Sequence, residues 1–155
     1  VLTLTTHEDF NMGYTHYWKN TAVATAGQWQ AFKADFAKVV RKARAKGIAV
    51  AGWNGSGAPV ISDEKVSFNG RGDDGSYETC RIAPGIEEFS FCKTARRPYD
   101  DVVVAALTLA RHHLPGFMWT SDGDVEEHAD GRALAATIIG AEAAALCGAT
   151  PRQTE

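Results

Sequence analysis

"EEFSFCKTARRPYDDVVVAALTLARHH", residues 87–113, changes its periodicity partway along, and that change decides the fold class. From Glu87 to Thr94 the period is two: Phe89, Phe91 and Lys93 point to one side, and Ser90, Cys92 and Thr94 to the other, which predicts a strand. Beyond Pro98, Val103, Ala106, Leu107 and Ala110 recur at helical spacing. Pro98 suits a first turn, Asp100 and Asp101 suit the positive end of a helix dipole, and His112 and His113 suit its negative end before the "LPG" stop. A strand that runs through a short basic turn into a helix is the joint of an α/β architecture.

The same pattern continues on both sides. "FMWTS" (117–121) predicts a strand, and 122–146 a final helix in which Asp124 and Glu127 match a capping pair. Gly131 and Gly140 either weaken that helix or let it pack closely. Upstream, residues 28–46 place Trp29, Phe32, Phe36, Val39, Val40 and Ala43 on one helical stripe. Arg41, Lys42, Arg44 and Lys46 crowd its last turns before Gly47, and a dipole-matched helix end is the favoured reading over a nucleic-acid patch. "IAVAGW" (48–53) reads as a short buried strand. "NGRGDDGS" (69–76) reads as the hairpin connection between "VSF" and "YETCRI", its Arg-Gly-Asp being turn chemistry. The fold class is therefore α/β in the α+β sense: a single mixed sheet of about five or six strands packed by about three helices.

At 155 residues the chain suits one domain, 1–155, able to bury roughly two-thirds of its unfolded surface. Residues 1–11 are a candidate N-terminal extension, with Met12 as an alternative start. A net charge of −3 gives no global pull toward nucleic acid or an anionic membrane. No apolar run approaches the ~18 residues of a membrane span. Three cysteines without CxxC spacing, Cys80, Cys92 and Cys147, argue against a disulfide framework or zinc finger and for a reducing cytoplasm. The glycine-rich loop "GWNGSGAP" lacks phosphate-loop spacing and a following helix. The sequence names no cofactor, and no histidine pair has a credible metal-ligand spacing.

Several stretches carry candidate chemistry. In "GYTHYWKN" (13–20), Tyr14, His16 and Trp18 share one strand face, where a flat ligand would stack beside a titratable group; an edge strand burying its aromatics is the favoured alternative. At "KTARRP", Lys93, Arg96 and Arg97 meet a helix N-terminus, the outline of an anion site, with Tyr99 and Asp100 at its edge. Asp100 and Asp101 would repel an anion or pair with the arginines instead. Cys92 is a candidate nucleophile with His16 as a conceivable base, set against the commoner role of a small core residue. In "WTSDGD" (119–124), Ser121, Asp122 and Asp124, with Glu78 of "YETC", could serve acid/base or divalent-cation chemistry, against ordinary turn and cap sequence.

Taken together, "MGYTHYW", "SFNG", "YETC", "FCKTARRPYDD" and "TSDGD" resemble an uncharacterised family of small bacteriophage and bacterial proteins. The resemblance covers most of residues 12–124, and "FCKTARRPYDD" is its most specific part. It implies a viral or prophage origin, hence the host cytoplasm, and carries no activity.

The expected function is binding, with turnover left open, of an anionic small molecule such as a nucleotide or sugar phosphate in a polar pocket. Tyr14, His16 and Trp18 would stack, and Lys93 and Arg97 would hold the anion. Glu78, Asp100 and Asp122 would orient polar groups. The alternative is a non-catalytic viral accessory or protein-interaction module, using Tyr17, Trp53 or Trp119 to meet a protein partner. Either reading turns on whether His16, Glu78, Lys93 and Asp122 converge.

Overall fold

In the computed structural model, which describes residues 13–151, one helix is enclosed on all sides. This is α3 (Asp100–His113, with α1, α2 and the strands ranged below), in which every residue from Val102 to Ala110 is buried. A helix apolar around its whole circumference needs partners on every side. It finds them in α1 (Ala26–Ala45), in α4 (Ala129–Ile139) and α5 (Ala141–Leu146), and in strand β7 (Phe117–Ser121). Thr108, the one polar residue of that stretch, returns its hydroxyl to the Val104 carbonyl at 2.8 Å.

The chain is α+β. Its remaining elements are β1 (Thr15–Asn20), β2 (Val50–Ala51), β3 (Val60–Ile61), β4 (Val66–Gly70), the single turn α2 (Gly72–Gly75), β5 (Cys80–Ile82) and β6 (Glu87–Lys93). The strands do not form the one mixed sheet that the sequence suggested. They divide into a three-stranded sheet, β6-β1-β7, and a four-stranded one in which β4 pairs with β2, β3 and β5. Every pairing among the described residues is antiparallel. The physical reason is length: β2, β3 and β5 have two or three residues each and close locally onto β4. Between the sheets, Glu78 N–H reaches Lys93 O at 3.2 Å.

Helix α1 forms where its stripe predicts, burying Trp29, Phe32, Phe36, Val39 and Ala43. Thr25 caps it reciprocally with Gln28, a pair that satisfies two backbone N–H groups at once. The single C-terminal helix expected over 122–146 is two helices instead. Gly140, at φ +92°, breaks the run, because that backbone conformation suits glycine alone. Gly131 has the other role weighed for it. A Cβ there would lie 2.5 Å from Val104 Cβ, so its absence sets how closely α4 approaches α3.

Strand β1 is the centre of its sheet, not an edge. Its inward face carries Tyr14, His16 and Trp18, all buried, while Lys19 faces out. On β6 the inward face is the small and polar one, Cys92 and Thr94, leaving Phe89 63% and Phe91 50% exposed. Trp119 is buried at 1% and offers no surface to a protein partner, whereas Trp53 is exposed. The candidate start at Met12 and the extension 1–11 lie outside the described residues.

Candidate functional site: a buried Asp-His-Ser chain beside a cavity

His16 and Ser121 are directly opposite one another across the β1/β7 ladder. Opposed residues of antiparallel strands project to the same face, so the imidazole and the hydroxyl meet: His16 Nδ1 lies 2.8 Å from Ser121 Oγ. The other ring nitrogen, Nε2, lies 2.6 Å from Asp100 Oδ1. Asp100 arrives from the turn that joins β6 to α3. In that turn Ala95 and Arg96 both adopt left-handed backbone, φ 52° and 57°, a conformation that non-glycine residues rarely hold in succession. The fold keeps it through two N–H groups, those of Thr94 and Ala95, directed at the Tyr14 carbonyl. The result places the Thr94 hydroxyl on Asp100 Oδ1 at 2.5 Å.

Ser121 Oγ has further neighbours, among them the Tyr14 hydroxyl, with which the serine side chain shares a hydrogen bond. Gly123 N–H donates to it at 2.9 Å, and His128 Nε2 stands 3.0 Å away. His128 is carried by a turn in which Asp124 and Glu127 exchange backbone and side-chain hydrogen bonds, the capping pair the sequence suggested. With a neutral His16 the protons have a consistent arrangement. Nε2–H donates to the Asp100 carboxylate, leaving Nδ1 to accept from the Ser121 hydroxyl, and Oγ accepts from Gly123 N–H, with the Tyr14 hydroxyl and His128 Nε2 competing for its remaining lone pair. Burial, and next the nearby His16, hold the His128 pKa below its ordinary value, which favours its neutral, single-donor form. Gly123 can be only glycine, since a Cβ there would fall on the Tyr14 hydroxyl. That phenol is held protonated, its pKa raised by burial first and then by Asp100.

The Ser121 end of the chain opens on a cavity of about 570 Å³. Val104, Trp119, Ala145 and Ala149 give it apolar walls; Ser121, His128 and Arg132 are polar groups on its lining. The Asp100 end meets a smaller concavity of about 240 Å³, bordered by Tyr14, Arg96, Arg97, Pro98, Asp101 and Glu127. This is where the basic turn suggested an anion site. Its cations are engaged by the protein itself: Arg96 pairs with Glu127 at 2.8 Å and lies over the Tyr14 ring, and Arg97 donates to the Asp74 carbonyl at 2.6 Å.

Of the four residues whose convergence was in question, Glu78 and Lys93 meet each other, but neither they nor Asp122 bonds to the His16 ring. Asp122 turns to the sheet edge, accepting from Thr15 N–H at 3.0 Å and from the Tyr17 hydroxyl at 3.2 Å. Glu78 Oε1 accepts from Lys93 N–H at 2.7 Å. Cys92 is opposite His16 in the ladder, yet both imidazole nitrogens are directed to Asp100 and Ser121. Its thiol instead faces the Glu78 carbonyl at 3.4 Å, beside the Tyr99 hydroxyl, which donates to that same carbonyl. Tyr14, Trp18 and Tyr99 are buried at 2%, 3% and 1%, so their rings are packing surfaces of the interior.

Sequence reasoning grouped Ser121 with carboxylates and did not single out His128; the structure brings Ser121 against both His128 and His16. The available signal was positional: a serine ending one strand and a histidine at an inward position of another. Cys80, Cys92 and Cys147 have free thiols. Among the described residues, no group of three or more His, Cys, Asp or Glu is arranged to hold a metal ion, and no helix is long and apolar enough to cross a membrane. Comparison with protein-family models, curated proteins and solved structures gives no match.

Proposed function

We propose that the chain binds an anionic small molecule with an apolar body in the cavity over Ser121 and His128. The observation that supports this reading is a cavity of about 570 Å³ whose lining combines apolar walls with the polar side chains of Ser121, Asp124, His128 and Arg132. Such a combination suits orientation of a ligand by its head group and burial of its body. Arg132 takes the anionic head in place of Lys93 and Arg97. Its guanidinium donates to the Val125 carbonyl at 3.2 Å and has further N–H donors in the same plane. The walls favour an aliphatic carboxylate or alkyl phosphate over a sugar phosphate.

The test is thermal shift against straight-chain carboxylates and alkyl phosphates of graded length. A ligand at ~100 times its dissociation constant stabilises by ~2.7 kcal/mol. The expected result is a shift that grows with chain length and is lost in Arg132→Ala. No shift with any compound, or an equal shift in the variant, overturns the proposal.

A second reading, a protein-interaction module, rests on Phe89, Phe91 and Met118, all exposed on the outer face of the three-stranded sheet. There the Tyr17 and Phe89 rings lie 6.2 Å apart, and those of Phe89 and Phe91 5.8 Å apart. Cross-linking to a partner that is lost in Phe89→Ser, with the thermal shifts unaltered, favours it over the cavity.

A further inference from the structure

Resting on the cavity reading, we infer that Ser121 is a nucleophile toward carboxylic esters, with His16 as its general base and Asp100 holding the imidazole. Three observations meet here. The hydrogen-bonded order Asp100–His16–Ser121 is continuous, at 2.6 and 2.8 Å. The base is wholly buried, while the hydroxyl it serves lines a cavity large enough for a small substrate. Finally, Gly123 N–H donates to Oγ and His128 Nε2 stands 3.0 Å from it, so that the backbone donor favours the anionic form of Oγ over the neutral one. A cluster that only stabilised the core would have no reason to end on a cavity wall.

The residues divide the reaction among themselves. Ser121 gives its proton to His16 Nδ1 as Oγ bonds to the ester carbonyl carbon. The C–O bond to the leaving alkoxide breaks, and the alkoxide departs as an alcohol with the proton held by Nδ1. Water then yields a proton to Nδ1 and attacks the acyl carbon; Oγ leaves with that proton, and a carboxylic acid is released. The balance is ester plus water to acid plus alcohol. Asp100 offsets the imidazolium charge, and Thr94 positions its carboxylate. The aromatic neighbours of His16, Tyr14 at 5.3 Å and Trp119 at 5.9 Å between ring centroids, fix the plane of the ring.

The experiment treats the purified chain with an alkyl fluorophosphonate and, separately, with p-nitrophenyl butyrate. The expected result is loss of fluoride and one phosphonyl group added to the peptide containing Ser121, with ester hydrolysis abolished by Ser121→Ala. Asp100→Asn should slow labelling about 100-fold or more. Circular dichroism verifies that each variant is folded, and Trp53→Ala, at an exposed residue outside the cavity lining, should retain labelling. No labelling of the folded native chain, or labelling that survives Ser121→Ala, overturns the inference. The octanoate thermal shift separates the two failures. A shift without labelling leaves the cavity reading standing and removes the nucleophile, whereas labelling without a shift supports the nucleophile and removes the proposed ligand class.

Discussion

His16 and Asp100 are 84 positions apart, yet His16 Nε2 lies 2.6 Å from Asp100 Oδ1 in the interior of the protein. The side chains are 0% and 11% exposed, so neither can turn to solvent for a replacement partner. Removing one member strands the other, and that penalty exceeds the net value of the pair itself. Asp100→Ala leaves the His16 and Thr94 donors unmatched and is expected to destabilise by about 3 kcal/mol. Urea unfolding measures this. A loss below about 1 kcal/mol would mean that water replaces the carboxylate, and that the pair is less enclosed than described.

His128 predicts the acid limb of stability. Its pKa is lowered by burial and by the proximity of His16, so between the ordinary histidine value of 6.5 and the lower folded value the unfolded chain binds more protons. Stability from this group is therefore lost as pH falls below about 6.5. His128→Gln, which cannot titrate, should flatten that limb. Melting temperatures from pH 7 down to pH 5 measure it, and an unchanged slope in the variant would contradict the assignment.

Asp101 has the opposite sign. Burial, followed by the charges of Asp100 and Asp130, raises its pKa to about 6 from 3.8, so the folded state holds a proton that the unfolded state has released. Stability falls as pH rises through that window. Asp101→Asn should stabilise the chain at pH 7 by about 1 kcal/mol, a figure reduced from the full shift because the carboxyl is half exposed. The gain should vanish near pH 4. Equal effects at both pH values would point to a cause other than ionisation.

Gly131 and Val104 make a second measurable pair. A methyl group at position 131 would meet Val104 Cβ at 2.5 Å and the Asp101 carbonyl at 2.8 Å, forcing α4 away from α3. Overpacking of this kind costs about 1–3 kcal/mol. Gly131→Ala should therefore destabilise, and adding Val104→Ala, which keeps the Cβ but removes the Cγ1 atom 2.7 Å from the new methyl, should recover part of the loss, so that the two changes are not additive. Strict additivity in chemical denaturation would show that the backbone carbonyl, not Val104, sets the approach.

What the sequence made legible follows from the range of the interactions concerned. The stripe on α1, the Asp124–Glu127 capping pair and the switch from β6 to α3 are local patterns, set within a few residues by periodicity and dipole. The division into two sheets was not legible, because the pairing of residues 60–61 with 66–70 depends on a turn closed by Ser62 and Lys65. For the site, the sequence offered His16, Asp100 and Ser121 as separate polar residues in three different segments. Only the register of β1 against β7, and the left-handed pair Ala95–Arg96, put them in line. Lys93 and Arg97 drew attention as exposed charge beside a helix start. Charge at such a place is as readily neutralised by the protein's own carbonyls and carboxylates, as Arg96 and Arg97 show.

The central position of β1 has a consequence for the order in which the molecule can be made. Its two neighbours are β6 and β7, and His16 waits for Ser121, 105 residues downstream. The four-stranded sheet, by contrast, closes entirely within residues 50–82. During synthesis the N-terminal strand leaves the ribosome with no partner, while the local sheet and α1 have all they need to form. Non-local pairings bear the larger loop-closure entropy and are completed late. The hydrogen-bonded run from Asp100 through His16 to Ser121 is thus complete only once β7 has joined β1.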